Sequence, residues 1–149
     1  MKHILYLQQN GIVAIISGAK GTSPLDLQKQ VPIGLPSVII DSEQLPQADH
    51  LEIFRDALTA DFDSPGQPNV KIDLEKAKSL AKIKIREYRK ELYSANDIVI
   101  RDAMISNDQI TLKSAIKQRD YLKDLTKIVN NVANIDEILE KLEDLNIKV

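Results

Sequence analysis

The chain contains no cysteine and no tryptophan in 149 residues. Without Cys there can be no disulfide, no thiolate nucleophile and no cysteine-based zinc site. Aromatic residues are scarce, with two Phe and four Tyr, so a core has to be built from Ile, Leu, Val and Ala. No apolar run approaches the roughly 18 residues needed to cross a bilayer. The opening MKHILYLQQNG carries no signal-peptide cleavage pattern. A soluble protein of the cytoplasm, with no membrane role, is therefore expected. An excess of one charge is also lacking: 20 basic residues face 22 acidic ones, for a net charge of −2. That balance disfavours a general nucleic-acid binder.

Catalytic groups are equally thin. The two histidines, His3 and His50, are far apart in sequence, and metal or acid–base sites need several convergent groups. Both are expected to be structural or surface residues. The stretch IISGAKGTS places Gly18, Lys20, Gly21 and Thr22 in the wrong order for a phosphate-binding loop. Asp61 and Asp63 lack the further ligands of a calcium loop. No catalytic residue, metal site or cofactor is expected, and the chain reads as a non-enzyme.

Glycine and proline are present, but only in part of the chain. All five Gly and all six Pro precede Val70. The front half is punctuated accordingly. HILYLQ and IVAIIS flank Asn10-Gly11, which predicts a β-hairpin with a type I′ turn. SVIID is the candidate third strand. Ser23 followed by Pro24 predicts the start of a short helix in SPLDLQKQ. A second short helix is expected over residues 50–58, with Leu51, Phe54, Ala57 and Leu58 on its inner face. DFDSPGQPN reads as a linker. The expected organisation is a small β-rich module at 1–60, a Pro/Gly linker at 61–69, and a helical region at 70–149.

The helical region follows from spacing. Asp73 is the expected cap of a first long helix. Its apolar seam runs through Ala77, Ala81, Ile85, Tyr88, Leu92, Ala95 and Val99, in steps of three and four, and the helix ends near Ile105. The alternation in KIKIR spans too few residues to read as a strand. Ser106 with Gln109 fits a capping box opening a second helix. Its seam takes Leu112, Ile116, Leu122, Leu125, Val129 and Val132. Arg119 occupies a seam position, which predicts either a looser contact or a carboxylate partner. Asn134 with Glu137 fits another capping box, opening a short terminal helix. A short turn between two long helices predicts an antiparallel hairpin. The fold class is thus α+β: a small antiparallel β-module with short helices, then a helical hairpin and a short terminal helix.

One charge feature stands out. Residues 71–90 hold eight basic residues against three acidic, and residues 136–144 hold five acidic against one basic. Lys82, Lys84, Arg86, Arg89 and Lys90 form a candidate interaction face. It reads either as a phosphate-binding helix or as a solvated face complementary to the acidic C-terminal segment.

Several short motifs run the length of the chain. They are Asp73-Leu74-Glu75-Lys76-Ala77-Lys78, Ile85-Arg86-Glu87-Tyr88-Arg89 and Asp102-Ala103-Met104. They continue in Arg119-Asp120-Tyr121-Leu122-Lys123-Asp124-Leu125-Thr126 and Ile135-Asp136-Glu137-Ile138-Leu139, with VPIGLPSVIIDSEQLP and Phe54 ahead of them. In this pattern the chain resembles the small tail-assembly chaperones, or tail-fibre-associated accessory proteins, of tailed bacteriophages. It departs from them in lacking a Trp after the Phe segment and in having Lys123 where Arg is usual. The resemblance implies a non-enzymatic phage or prophage protein that helps tail or tail-fibre parts assemble. Its partner would be a tail or tail-fibre protein, and it would be found in the host cytoplasm or on the virion. The long seam adds self-association as an expectation. Alternatives are a nucleic-acid-associated regulator using the basic face, and a minor structural protein of the virion.

Overall fold

The computed structural model describes residues 1–64 and 68–147. Two compact units divide the chain, Met1–Ala77 and Lys78–Val149.

In the first unit, strands β1 (Lys2–Leu7), β2 (Val13–Ser17) and β3 (Ser37–Asp41) form an antiparallel sheet in the order β2-β1-β3. Leu5 lies opposite Ile15 on one side and Val38 on the other. One face of the sheet carries Leu5, Val13, Val38 and Ile40, which share a core with Leu58. The β1–β2 connection differs from the predicted type I′ turn. Gln8 O accepts from Gly11 N, Gln8 N donates to Ile12 O, and only Gly11 is left-handed, at φ 81°. This is the three-residue loop in which a type I turn is followed by a left-handed glycine. Asn10 contributes its side chain instead, accepting from Ile12 N.

Helix α1 (Pro24–Gln28) starts as its sequence predicts: Ser23 caps Asp26 N and Pro24 takes the first turn. Helix α2 (Ala48–Phe54) stops earlier than expected. A 3₁₀ turn at Arg55–Ala57 follows it, and Leu58 enters strand β4 (Leu58–Thr59). Strand β4 pairs with β5 (Lys71–Ile72), Leu58 opposite Ile72. The expected linker at 61–69 is thus the connection between two paired strands of one unit, with residues 65–67 outside the described residues. The division falls at Ala77, inside a helix, because pairing on both sides of the Pro/Gly stretch binds it to the β-module.

Helix α3 (Leu74–Ile105) runs 32 residues, about 48 Å at 1.5 Å per residue. Asp73 caps it through Lys76 N. Helix α4 (Gln109–Asp124) follows, then a 3₁₀ segment Leu125–Val129 and helix α5 (Ile135–Asp144). The α+β class and the helical hairpin with its terminal helix are as the sequence predicts. Asn134 caps α5 as expected, accepting from Glu137 N, but the box is only half made: Glu137 accepts from Ala133 N and not from Asn134 N.

Candidate protein-interaction surface

The turn between α3 and α4 sets the geometry of the pair. Asn107 is left-handed at φ 55°, Asn107 N donates to Met104 O, and Asp108 N donates to Ala103 O. This closes α3 with the two bonds of a Schellman motif. Asp108 then caps α4, accepting from Ile110 N, Thr111 N and the Thr111 hydroxyl. Those bonds hold its carboxyl below the usual carboxylate range. The expected Ser106–Gln109 box is therefore not formed. Ser106 lies in the turn just past α3, its hydroxyl donating back to Asp102 O.

Helix α4 lies against one specific column of α3. Asn96 donates to Ala115 O at 3.0 Å from a buried position. Arg89 donates to Leu122 O at 3.1 Å and Lys123 O at 3.0 Å, and its guanidinium sits 5.5 Å from the Tyr93 ring centre. Those carbonyls are at the C-terminal end of α4, where a cation is favoured. Ala103 is buried further along the same column. Arg119 reaches the Asp97 carboxylate at 2.5 Å, the carboxylate partner expected for a charged residue in the seam.

This arrangement corrects the predicted seam. Ala81 and Ile85 are fully buried, but Tyr88, Leu92 and Val99 are between 36% and 42% exposed, and Ala95 is exposed as well. On a wheel of 100° per residue these four positions fall within about 60° of one another, and the column under α4 lies about 70° away. Apolar spacing marks a stripe without saying which neighbour covers it. Here Arg89 and Asn96 drew α4 to the adjacent column. On α4 the inward residues are Ala115 and Leu122, with Leu125 and Val129 buried beyond, while the predicted Ile116 is 47% exposed. The Arg119–Asp97 pair marks one flank of the helix pair. By the same wheel, the exposed Ile110 and Tyr121 fall on the opposite flank, beside the α3 stripe.

The basic face is only partly available. Arg86 and Lys90 are exposed and Lys82 and Lys84 half-buried, but Arg89 is tied to the end of α4. Its role as a helix-end anchor has no signature in the sequence beyond a lone Arg.

In the first unit, His3 is buried between two hydroxyls. Nδ1 lies 2.8 Å from Ser17 Oγ and Nε2 lies 2.9 Å from Ser42 Oγ. Ser42 donates its own proton to Met1 O, so it accepts from Nε2–H, and Nδ1 accepts from Ser17. Burial is the main cause that lowers the His3 pKa from 6.5 and keeps the ring neutral. Among the described residues, no group of three or more His, Asp or Glu stands together as a metal site, and no helix is long and apolar enough to cross a membrane. Comparison with protein families, with characterised proteins and with solved structures gave no match.

Proposed function

We propose that this chain works without catalysis, by protein–protein contact, as an assembly factor for the tail or tail fibre of a tailed bacteriophage. The observation that carries the contact reading is the exposed apolar stripe Tyr88–Leu92–Ala95–Val99, set on a helix whose neighbouring face is fixed by Arg89 and Asn96. An exposed apolar row of this kind on a soluble helix is a place for another helix or groove to bury it. The phage assignment comes from the sequence motifs that run from Asp73 to Leu139. The nucleic-acid reading is weakened by the commitment of Arg89 to two backbone carbonyls.

The test is affinity capture with the full chain from phage-producing cells, read by mass spectrometry. A tail or tail-fibre protein is expected with the parent chain and is lost with Leu92→Lys. Capture of no virion or tail protein overturns the reading. Mass spectrometry of purified particles shows whether the chain stays in the virion.

A further inference from the structure

Helix α3 carries its charge unevenly. Residues 74–90 hold seven basic residues against two acidic, and residues 91–105 hold three acidic against one basic. The exposed stripe straddles this boundary, with Tyr88 on the basic side and Leu92, Ala95 and Val99 on the acidic side. Most of those charges face away from the stripe; beside it stand Lys84 near one end and Asp102 near the other, a pattern complementary to itself when turned end for end.

We infer that two copies of this chain pair antiparallel through this stripe of α3. The pairing rests on the proposed mode of action, protein–protein contact, and makes the second copy the stripe's occupant, so that a tail protein would meet the pair and Leu92→Lys would lose it by breaking the pair. Centred between Leu92 and Ala95, it sets Tyr88 of one copy against Val99 of the other, and Leu92 against Ala95. These are the a–d pairings of an antiparallel seam. Lys84 and Asp102 lie in one column beside the stripe, since a separation of 18 residues is five whole turns. In the antiparallel pair, Lys84 comes within one residue of the level of Asp102 of the second copy, on the same flank. Asp102 already pairs with the adjacent Arg101 at 3.3 Å, so Lys84 of the second copy would share it; the two-fold axis repeats this contact at both ends of the stripe. A parallel pair would instead set Lys84 level with Lys84 and Asp102 level with Asp102.

Because α4 lies about 70° around α3 from the stripe, antiparallel pairing brings both copies of α4 to one side of the interface, where they meet each other as well. The flank of α4 that turns inward there carries Ile110 and Tyr121, both exposed in the single chain.

The absence of cysteine makes the test clean. Tyr88→Cys and Val99→Cys variants of the full chain, each alone and then mixed, are oxidised under mild conditions. The expected product is a mixed disulfide between the two variants, with neither variant linking to itself. In the antiparallel pair the two copies of position 88 stand 11 residues apart along the axis, about 16 Å, against a Cα separation of at most about 7 Å for a disulfide. Self-linking of either variant overturns the antiparallel arrangement.

Sedimentation of the parent chain is expected to show a dimer, and Leu92→Lys to give a monomer with unchanged far-UV circular dichroism. Should Leu92→Lys lose helix, Ala95→Glu at the exposed neighbouring position replaces it. Lys84→Asp is expected to weaken association about tenfold, and adding Asp102→Lys to restore it. A parent chain that stays monomeric at high micromolar concentration overturns the pairing. If that monomer still captures a tail protein through the stripe, the stripe belongs to that protein and the proposed function stands. A dimer that captures no tail protein keeps the pairing and removes the proposed function.

Discussion

Asn96 donates its side-chain amide to the Ala115 carbonyl at 3.0 Å, joining α3 to α4 from a position only 8% exposed. A buried polar group that finds its partner is neutral or mildly favourable, whereas one that loses its partner is costly. Asn96→Ala is expected to destabilise the helix pair by about 1–2 kcal/mol in urea unfolding, from the lost bond and the small void. Asn96→Asp keeps the shape but turns a carboxylate oxygen toward a carbonyl oxygen. It is expected to cost more than Asn96→Ala at neutral pH. A smaller cost for Asp than for Ala would show that the site values volume and not the hydrogen bond.

Arg89 and Arg119 both connect α3 and α4, by different physics. Arg89 binds two backbone carbonyls at a helix end from a half-buried position. Arg119 makes an ion pair with Asp97 in which both side chains are about half exposed. Arg89→Ala is expected to cost about 1.5–3 kcal/mol, with little relief in high salt. Arg119→Ala is expected to cost under about 1 kcal/mol, shrinking as salt rises. Chemical denaturation by urea at low and high salt separates the two.

The α3–α4 turn offers a stabilising substitution. Asn107 holds a left-handed conformation that glycine adopts without strain. Asn107→Gly is expected to raise stability by a few tenths to about 1 kcal/mol, and Asn107→Ala to lower it. Asp108→Ala removes a cap that receives three hydrogen bonds and is expected to lower stability. Melting temperatures of the three variants, followed by circular dichroism, check all three signs.

His3 gives the first unit an acid sensitivity. Its pKa is lowered in the folded chain, so the unfolded chain takes up a proton first as pH falls. The stabilising contribution is therefore complete above the unfolded value of 6.5 and is lost as pH drops below it through the folded value. The depressed Asp residues, such as Asp41 and Asp108, act only below their ordinary value of 3.8. The urea midpoint is expected to fall between about pH 7 and pH 5, and His3→Gln to flatten that slope.

Much of this architecture was legible in the residues. Ser23-Pro24, Asp73 and Asn134 with Glu137 each start a helix where their chemistry says one should start. The end of α3 at Ile105 lies where the break Ser106-Asn107-Asp108-Gln109 places it. Other features depend on information a local pattern does not hold. The paired strands Leu58–Thr59 and Lys71–Ile72 are two residues each, too short to show a period. The Ser106–Gln109 spacing points to the wrong cap, because the left-handed Asn107 carries the closure of α3 past Ser106 and leaves the cap to Asp108. Apolar spacing alone puts the seam on Tyr88, Leu92, Ala95 and Val99. The polar anchors Arg89 and Asn96, which hydrophobic spacing cannot weigh, placed α4 on the next column.

The turn at Asn107 has one further consequence. Asp108 closes one helix with its backbone and opens the next with its side chain, so no spare residue lies between α3 and α4. A single inserted residue after Asn107 would turn α4 by about 100° and move it about 1.5 Å along its axis. Ala115 and Leu122 would swing away from α3 together. The phase of the second helix is thus written at the corner, and the hairpin has no slack with which to absorb a change in chain length there.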